Sequence, residues 1–289
     1  MVVGPTAAGK SEVALQVAER LGGIVVSLDS MQVYRGMDIG TAKPTPADRA
    51  RVPHAMIDLV EPSEEYTVRQ FQTEARRLID EADGPVVLAG GSGLHMRAVI
   101  DPMEFLPTDP DLRSQLEASE LEPLVEELVA ADPEAGTHVD LANQRRVVRA
   151  VEVLRLSGRT PSVIAADPSR RAVSEYESLY PCRIFGIDPG EDLPGRIEQR
   201  IQAMIDRGLM DEVAGLRGRL GRTAGQAVGY AQLMPVVTGE MSLADGVAAT
   251  RKATWELARR QRAWFRRDPR VRWLDPLQTD AVAAVMEAT

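Results

Sequence analysis

The chain has 289 residues, a formal net charge of −9 and one cysteine, Cys182. A single cysteine excludes an intramolecular disulfide and a multi-cysteine zinc site and points to a reducing compartment, and His54, His95 and His138 lie too far apart for ligand spacing. A hydrophobic fraction of 44% with no apolar run of roughly 18 residues and no basic-plus-apolar leader predicts a cytoplasmic globular chain with no membrane span.

In chain order, Met1-Val2-Val3 reads as the end of a short apolar strand. Ser11 to Leu21 has apolar residues at Val13, Ala14, Val17, Ala18 and Leu21, the spacing of a helix. Between them Gly4-Pro5-Thr6-Ala7-Ala8-Gly9-Lys10-Ser11 fits G-x-x-x-x-G-K-[ST], a loop whose backbone N–H groups curl around an anion. Lys10 adds a positive charge, the Ser11 hydroxyl can hold Mg²⁺, and the helix that follows aims the positive end of its dipole at the phosphate. The loop alone does not say whose phosphate it holds.

Ile24 to Leu28 is a β-branched run that reads as a buried parallel strand ending at Asp29. Asp29 is either the Mg²⁺-associated acid of a nucleotide hydrolase or the acceptor for an attacking nucleophile. A glycine-punctuated loop follows, and Met56 to Val60 reads as a short strand. Thr67 caps a helix running to Ala82. Val86 to Ala89 reads as another buried strand, closed by Gly90-Gly91-Ser92-Gly93, with a helix starting near Leu94. Ser92 offers either a hydroxyl to a ligand or an N-cap to that helix. The alternation predicts an α/β fold, a P-loop-type parallel sheet with helices on both faces, whose ligands bind at the carboxyl ends of the strands.

From Asp109 to about Ala166 only helical segments occur, so residues 109–181 read as a helical insertion between core segments 1–108 and 182–289. Arg145, Arg146 and Arg149 on one of its helices either grip phosphates or form a solvated face. Cys182 to Ile187 returns as a strand, Leu193 to Arg207 as a helix, Gly221 to Gly229 as a loop, and the remainder as helix. From Arg251 to Trp273 there are nine basic residues against two acidic ones, a net +7, with Trp255, Trp264, Phe265 and Trp273 interleaved. This stripe on an acidic body is either a phosphate-backbone footprint or the solvated face of an amphipathic helix.

The loop at 4–11, the block Asp29-Ser30-Met31-Gln32-Val33-Tyr34-Arg35-Gly36-Met37-Asp38-Ile39-Gly40-Thr41-Ala42-Lys43-Pro44, the Gly90–Leu94 turn, Arg145–Val153, Ala227–Tyr230 and Arg259-Arg260-Gln261 with Trp264-Phe265 together resemble the tRNA dimethylallyltransferase (isopentenyltransferase) family. The resemblance implies transfer of a dimethylallyl group from dimethylallyl diphosphate to N6 of the adenosine on the 3′ side of the anticodon. It implies Asp29, Lys10 and Thr6 as the catalytic group, Gly4 to Ser11 as the donor site, and Mg²⁺ as cofactor. It implies contacts from Asp29, Ser30, Met31, Gln32, Ser92 and Arg113 to the tRNA near the reacting base. Arg145, Arg146, Arg149, Arg262 and Arg266 then become grips on the backbone of the anticodon stem-loop. A monomer is expected.

The chain departs from the family's pattern in places. Ser92 stands where Thr is common, His95 where Tyr is usual, and no arginine lies just after Asp188-Pro189, which leaves Arg196 or Arg200 to compensate. The competing readings are an isopentenyltransferase acting on AMP, ADP or ATP, a small-molecule kinase built on the same loop, and a non-catalytic RNA-binding protein.

Overall fold

The computed structural model describes residues 1–288. These form two compact units, Met1–Ile100 together with the chain from Tyr180 onward, and Asp101–Leu179. The first unit is built on six parallel strands: β1 (Val2–Val3), β2 (Ile24–Ser27), β3 (His54–Ala55), β4 (Val86–Gly90), β5 (Ile184–Ile187) and β6 (Val271–Leu274). Their order is β3-β2-β4-β1-β5-β6. Such short strands suffice because β2, β4 and β5 are β-branched or aromatic runs buried on both faces. One face is covered by a cluster containing Phe71, Met96, Tyr230 and Phe265, the other by the Lys10–Leu21 and Ala281–Glu287 helices.

All six strands run the same way, so the loop after β1, Asp29 after β2, Gly91 after β4 and Asp188 after β5 lie along one edge of the sheet. The strand order reverses direction around β1, where an open parallel sheet leaves a crevice. Thr67 caps the Val68–Asp80 helix in a capping box with Gln70, as its sequence predicts.

Two sequence expectations are corrected. Met56 to Val60 forms no strand: Met56 and Asp58 adopt left-handed backbone (φ 62° and 54°), and only an isolated bridge joins Val60 to Tyr34. The chain after Gly229 is not helical throughout. The Leu243–Phe265 helix stops and Val271-Arg272-Trp273-Leu274 enters the sheet as β6, with Val271 and Leu274 buried and Arg272 exposed. The basic stripe is therefore one helix, a turn and an edge strand. Trp273 is a sheet residue lying over Gly186, and Arg270 is paired with Asp268 at 2.6 Å.

In the second unit the helices Leu121–Ala131 and Gln144–Ser157 pack around Leu116, Leu128, Val147 and Val151. The Glu152 side chain, fully buried, organises its entry. Its carboxylate accepts from Arg113 (2.5 Å), Arg149 (2.6 Å), the Thr108 hydroxyl (2.8 Å) and the Asp109 N–H (2.9 Å). Burial pushes its pKa up, but the two guanidiniums and the other donors outweigh that and hold it at about 2. Arg149 also donates to the carbonyls of Leu106 and Pro107, which ties the segment before Asp109 to this unit.

Candidate active site

The loop after β1 is shaped by its own backbone. Gly4 sits at φ 135°, and a Cβ there would lie 2.3 Å from the Ile187 carbonyl oxygen of β5, so only glycine fits against the neighbouring strand. Ala7 is left-handed at φ 63°, a strained conformation of the kind held at ligand clamps. Lys10 opens the following helix and folds back to donate to the Pro5 carbonyl at 2.5 Å.

The loop forms one wall of a cavity of about 350 Å³, in the range of small-molecule sites. Thr6, Lys10 and Ser11 line it from β1, Asp29, Met31 and Gln32 from the β2 edge, and Gly90 and Gly91 from β4. Arg200, from the Leu193–Asp206 helix, lines it as well. Lys10, Arg200 and Asp29 are close enough to act on one another's charge. Burial, then Arg200, lowers the Lys10 pKa to about 7, with Asp29 opposing. Burial also presses the Arg200 pKa down, again opposed by Asp29, and a guanidinium remains a cation there. Two cations crowded together in a partly dry cavity favour an anion between them.

Asp29 is held by its own turn: its Oδ1 accepts the Met31 N–H at 2.8 Å. Gln32 accepts from the Ser27 hydroxyl (2.8 Å) and donates to the carbonyls of Thr41 and Ala42 (3.1 and 3.2 Å), so it binds the block together. Lys43 is the hub of the same block. Its buried ammonium donates to the Tyr34 carbonyl (2.5 Å) and to Asp38 and Asp58 (2.6 Å each). Glu212, from the Leu209–Gly215 helix, fixes the other end: it accepts the N–H groups of Asp38, Ile39 and Gly40 (2.9, 2.7 and 3.0 Å) and the Tyr230 hydroxyl (2.6 Å). Burial and then Glu212 push the Tyr230 pKa well above its ordinary value, so it stays a donor.

Ser92 shares a 2.7 Å hydrogen bond with His95 Nδ1 and weakly accepts the His95 N–H (3.4 Å), so it caps its helix. Burial lowers the His95 pKa to about 4 despite Asp29, and its ring stands edge-on to Phe71 with centroids 4.6 Å apart. His95 is a neutral packing group at pH 7. Ser30 and Ser92 are half-buried and do not line the cavity.

The arginines expected on RNA divide. Arg262 donates to Asp188 at 2.6 Å and to the Gly190 carbonyl at 3.1 Å, and its side chain is 19% exposed; it pins the helix to the end of β5 and does not present a free guanidinium. Arg266 is 63% exposed and only brushes Asp188 at 3.6 Å. In the second unit Arg113 and Arg149 are committed to Glu152, while Arg145 and Arg146 are exposed, the latter 3.8 Å from Asp140.

Of the two arginines weighed as compensators, Arg200 lines the cavity, and Arg196 Nη1 lies 3.8 Å from where a Cβ on Gly9 would be. Sequence reasoning did not place Thr250, Thr254, Leu257 and Gln261 in the site, yet all four line the cavity. Their i, i+4, i+7, i+11 spacing, one helix face carrying two threonines and a glutamine, was the available signal.

Among the described residues no group of three His, Cys, Asp or Glu could hold a metal ion. The donor set at the loop is the Ser11 hydroxyl, which suits a Mg²⁺ that takes most of its ligands from a diphosphate and water. No helix among the described residues is long and apolar enough to cross a membrane.

A phosphate loop after the central strand of a parallel sheet, with an acid and two cations facing one cavity, defines a P-loop-type α/β enzyme. More narrowly, the chain belongs to the IPP transferase family, whose model matches residues 32–268. It is 45% identical over 94% of its length to a tRNA dimethylallyltransferase of Streptomyces coelicolor, covering 88% of that protein. A solved structure of a tRNA isopentenylpyrophosphate transferase from Bacillus halodurans superposes with a TM-score of 0.68 at 35% identity, covering 94% of this chain and 88% of that one. A eukaryotic dimethylallyltransferase acting on tRNA shares the fold, with a TM-score of 0.79 at 23% identity over 99% of this chain and 76% of that one.

Proposed function

We propose that this protein transfers the dimethylallyl group of dimethylallyl diphosphate to N6 of the adenosine on the 3′ side of the anticodon of tRNA, as a cytoplasmic monomer. The observation that carries the reading is the meeting of Lys10, Arg200 and Asp29 in one cavity beside the phosphate loop. In the reaction C1 of the allyl group bonds to N6 and its bond to the diphosphate oxygen breaks. The diphosphate leaves with the electron pair, and the N6 proton passes to Asp29. Lys10 and Arg200, which line the same cavity, neutralise the charge that collects on the leaving diphosphate. Asp29, held by Met31, accepts the amine proton as the amine loses its own lone pair to carbon. Mg²⁺ at Ser11 would supply further neutralisation of the leaving diphosphate. The adenine leaves the anticodon stack to reach the cavity. Exposed Arg259, Arg260 and Arg266 supply backbone contacts from the stripe, and Arg145 and Arg146 from the second unit.

The test is incubation with Mg²⁺, dimethylallyl diphosphate labelled in the alkyl group, and either unmodified tRNA or AMP. Label on tRNA and none on AMP is expected. In Asp29→Asn the rate falls by about two to four orders of magnitude with tRNA affinity kept, the size of a lost general base. Label on AMP alone, or an Asp29→Asn rate equal to wild type, contradicts the reading.

A further inference from the structure

The Leu243–Phe265 helix has two unlike faces. Thr250, Thr254, Leu257 and Gln261 form a stripe on the cavity wall, while Arg259 and Arg260 stand exposed on the turn that carries Gln261. Within the stripe the two threonine hydroxyls donate back to the helix's own carbonyls, at Gly246 (2.8 Å) and Thr250 (2.7 Å). Gln261 reaches out. Its Oε1 accepts the N–H of Thr6 at 2.8 Å, in the phosphate loop. Its Nε2 lies 2.4 Å from where a Cβ on residue 91 would be, so the amide rests on bare Gly91 and any larger residue there would displace it. The loops after the adjacent strands β1 and β4 therefore meet on one side chain, borne by the helix whose outer turn carries the free arginines.

We propose that Gln261 is a positioning residue that couples RNA contact on the outer face of this helix to the diphosphate site, through Thr6 on one side and Gly91 on the other. The proposal rests on the functional reading above. A helix turn is stiff, and the guanidiniums of residues 259 and 260 share it with the amide of 261. RNA that fixes the turn also fixes the acceptor for the Thr6 N–H and hence the shape of the loop around the anion. The two substrates then bind with a shared coupling, and by linkage each tightens the other equally.

The experiment uses the whole chain and reads binding without turnover, so it stays separate from the labelling assay. The dissociation constant of inorganic diphosphate with Mg²⁺ is measured with and without an unmodified anticodon stem-loop RNA. Wild type should bind diphosphate about fivefold or more tightly when RNA is present, the low end of typical coupling. In Gln261→Ala and Gln261→Leu the gain should fall below about twofold, with affinity for RNA alone kept, and the same loss should follow from Gly91→Ala on the other side of the contact. Coupling that survives in these variants, no coupling in wild type, or RNA affinity lost along with the coupling overturns the assignment.

Discussion

Lys10 shows how a single residue is tuned by its neighbours. Burial and Arg200 hold its pKa near 7, so the free site is poised to gain a proton when a diphosphate arrives and raises that pKa again. The sign follows: anion affinity is full below pH 7 and falls as pH rises through it. Diphosphate should bind about tenfold more weakly at pH 8 than at pH 6 on account of Lys10, since about one lysine in eleven stays protonated at pH 8. Lys10→Arg, with a charge that does not titrate, should lose that component when the two titrations are compared by calorimetry. An identical pH dependence in both proteins would assign it elsewhere. Asp188 makes a similar point about burial. It sits 10% exposed at the end of β5 and owes its tolerance there to Arg262.

The helix from Leu243 to Phe265 separates residues that look alike in sequence. Arg262 and Arg266 are one turn apart, yet one is spent inside and the other faces solvent. Arg262→Ala should cost about 2 kcal/mol in denaturant unfolding, because it removes the strongest charged donor to the nearly buried Asp188 carboxylate, with little change in the salt dependence of RNA binding. Arg266→Ala should leave stability within about 0.5 kcal/mol and reduce the slope of log K against log salt by about 0.7 for a lost single-strand phosphate contact. Reversed outcomes would exchange their roles.

The same contrast marks what can be read from sequence. The β-branched runs of β2, β4 and β5, the Thr67 cap and the helix that opens at Lys10 behind the glycine loop are local patterns and emerge where expected. The left-handed Met56 and Asp58 do not, because that turn is set by the ion pair of Asp58 with Lys43, fifteen residues earlier. Nor does Gln261, whose partner Thr6 is 255 residues away. β6 escapes notice because its exposed Arg272 sits in a run of arginines that reads as helix face.

The molecule as a whole carries −9, so on the proposed reading the local arginine cluster is what offsets long-range repulsion of RNA. Its sheet edge gathers the glycine loop, an acid and two cations into one cavity, and the chain belongs to the IPP transferase family. In the proposed reaction the loop at 4–11 serves departure of a diphosphate, and no phosphoryl group moves. A dual-label reaction tests this most directly: dimethylallyl diphosphate carrying one isotope in its alkyl group and another in its phosphates is given to the enzyme with Mg²⁺ and a molar excess of unmodified tRNA. The alkyl isotope should appear on a tRNA adenosine while all of the phosphate isotope is recovered as free diphosphate. Phosphate isotope on the tRNA, or alkyl isotope still on the diphosphate after prolonged incubation, would contradict it.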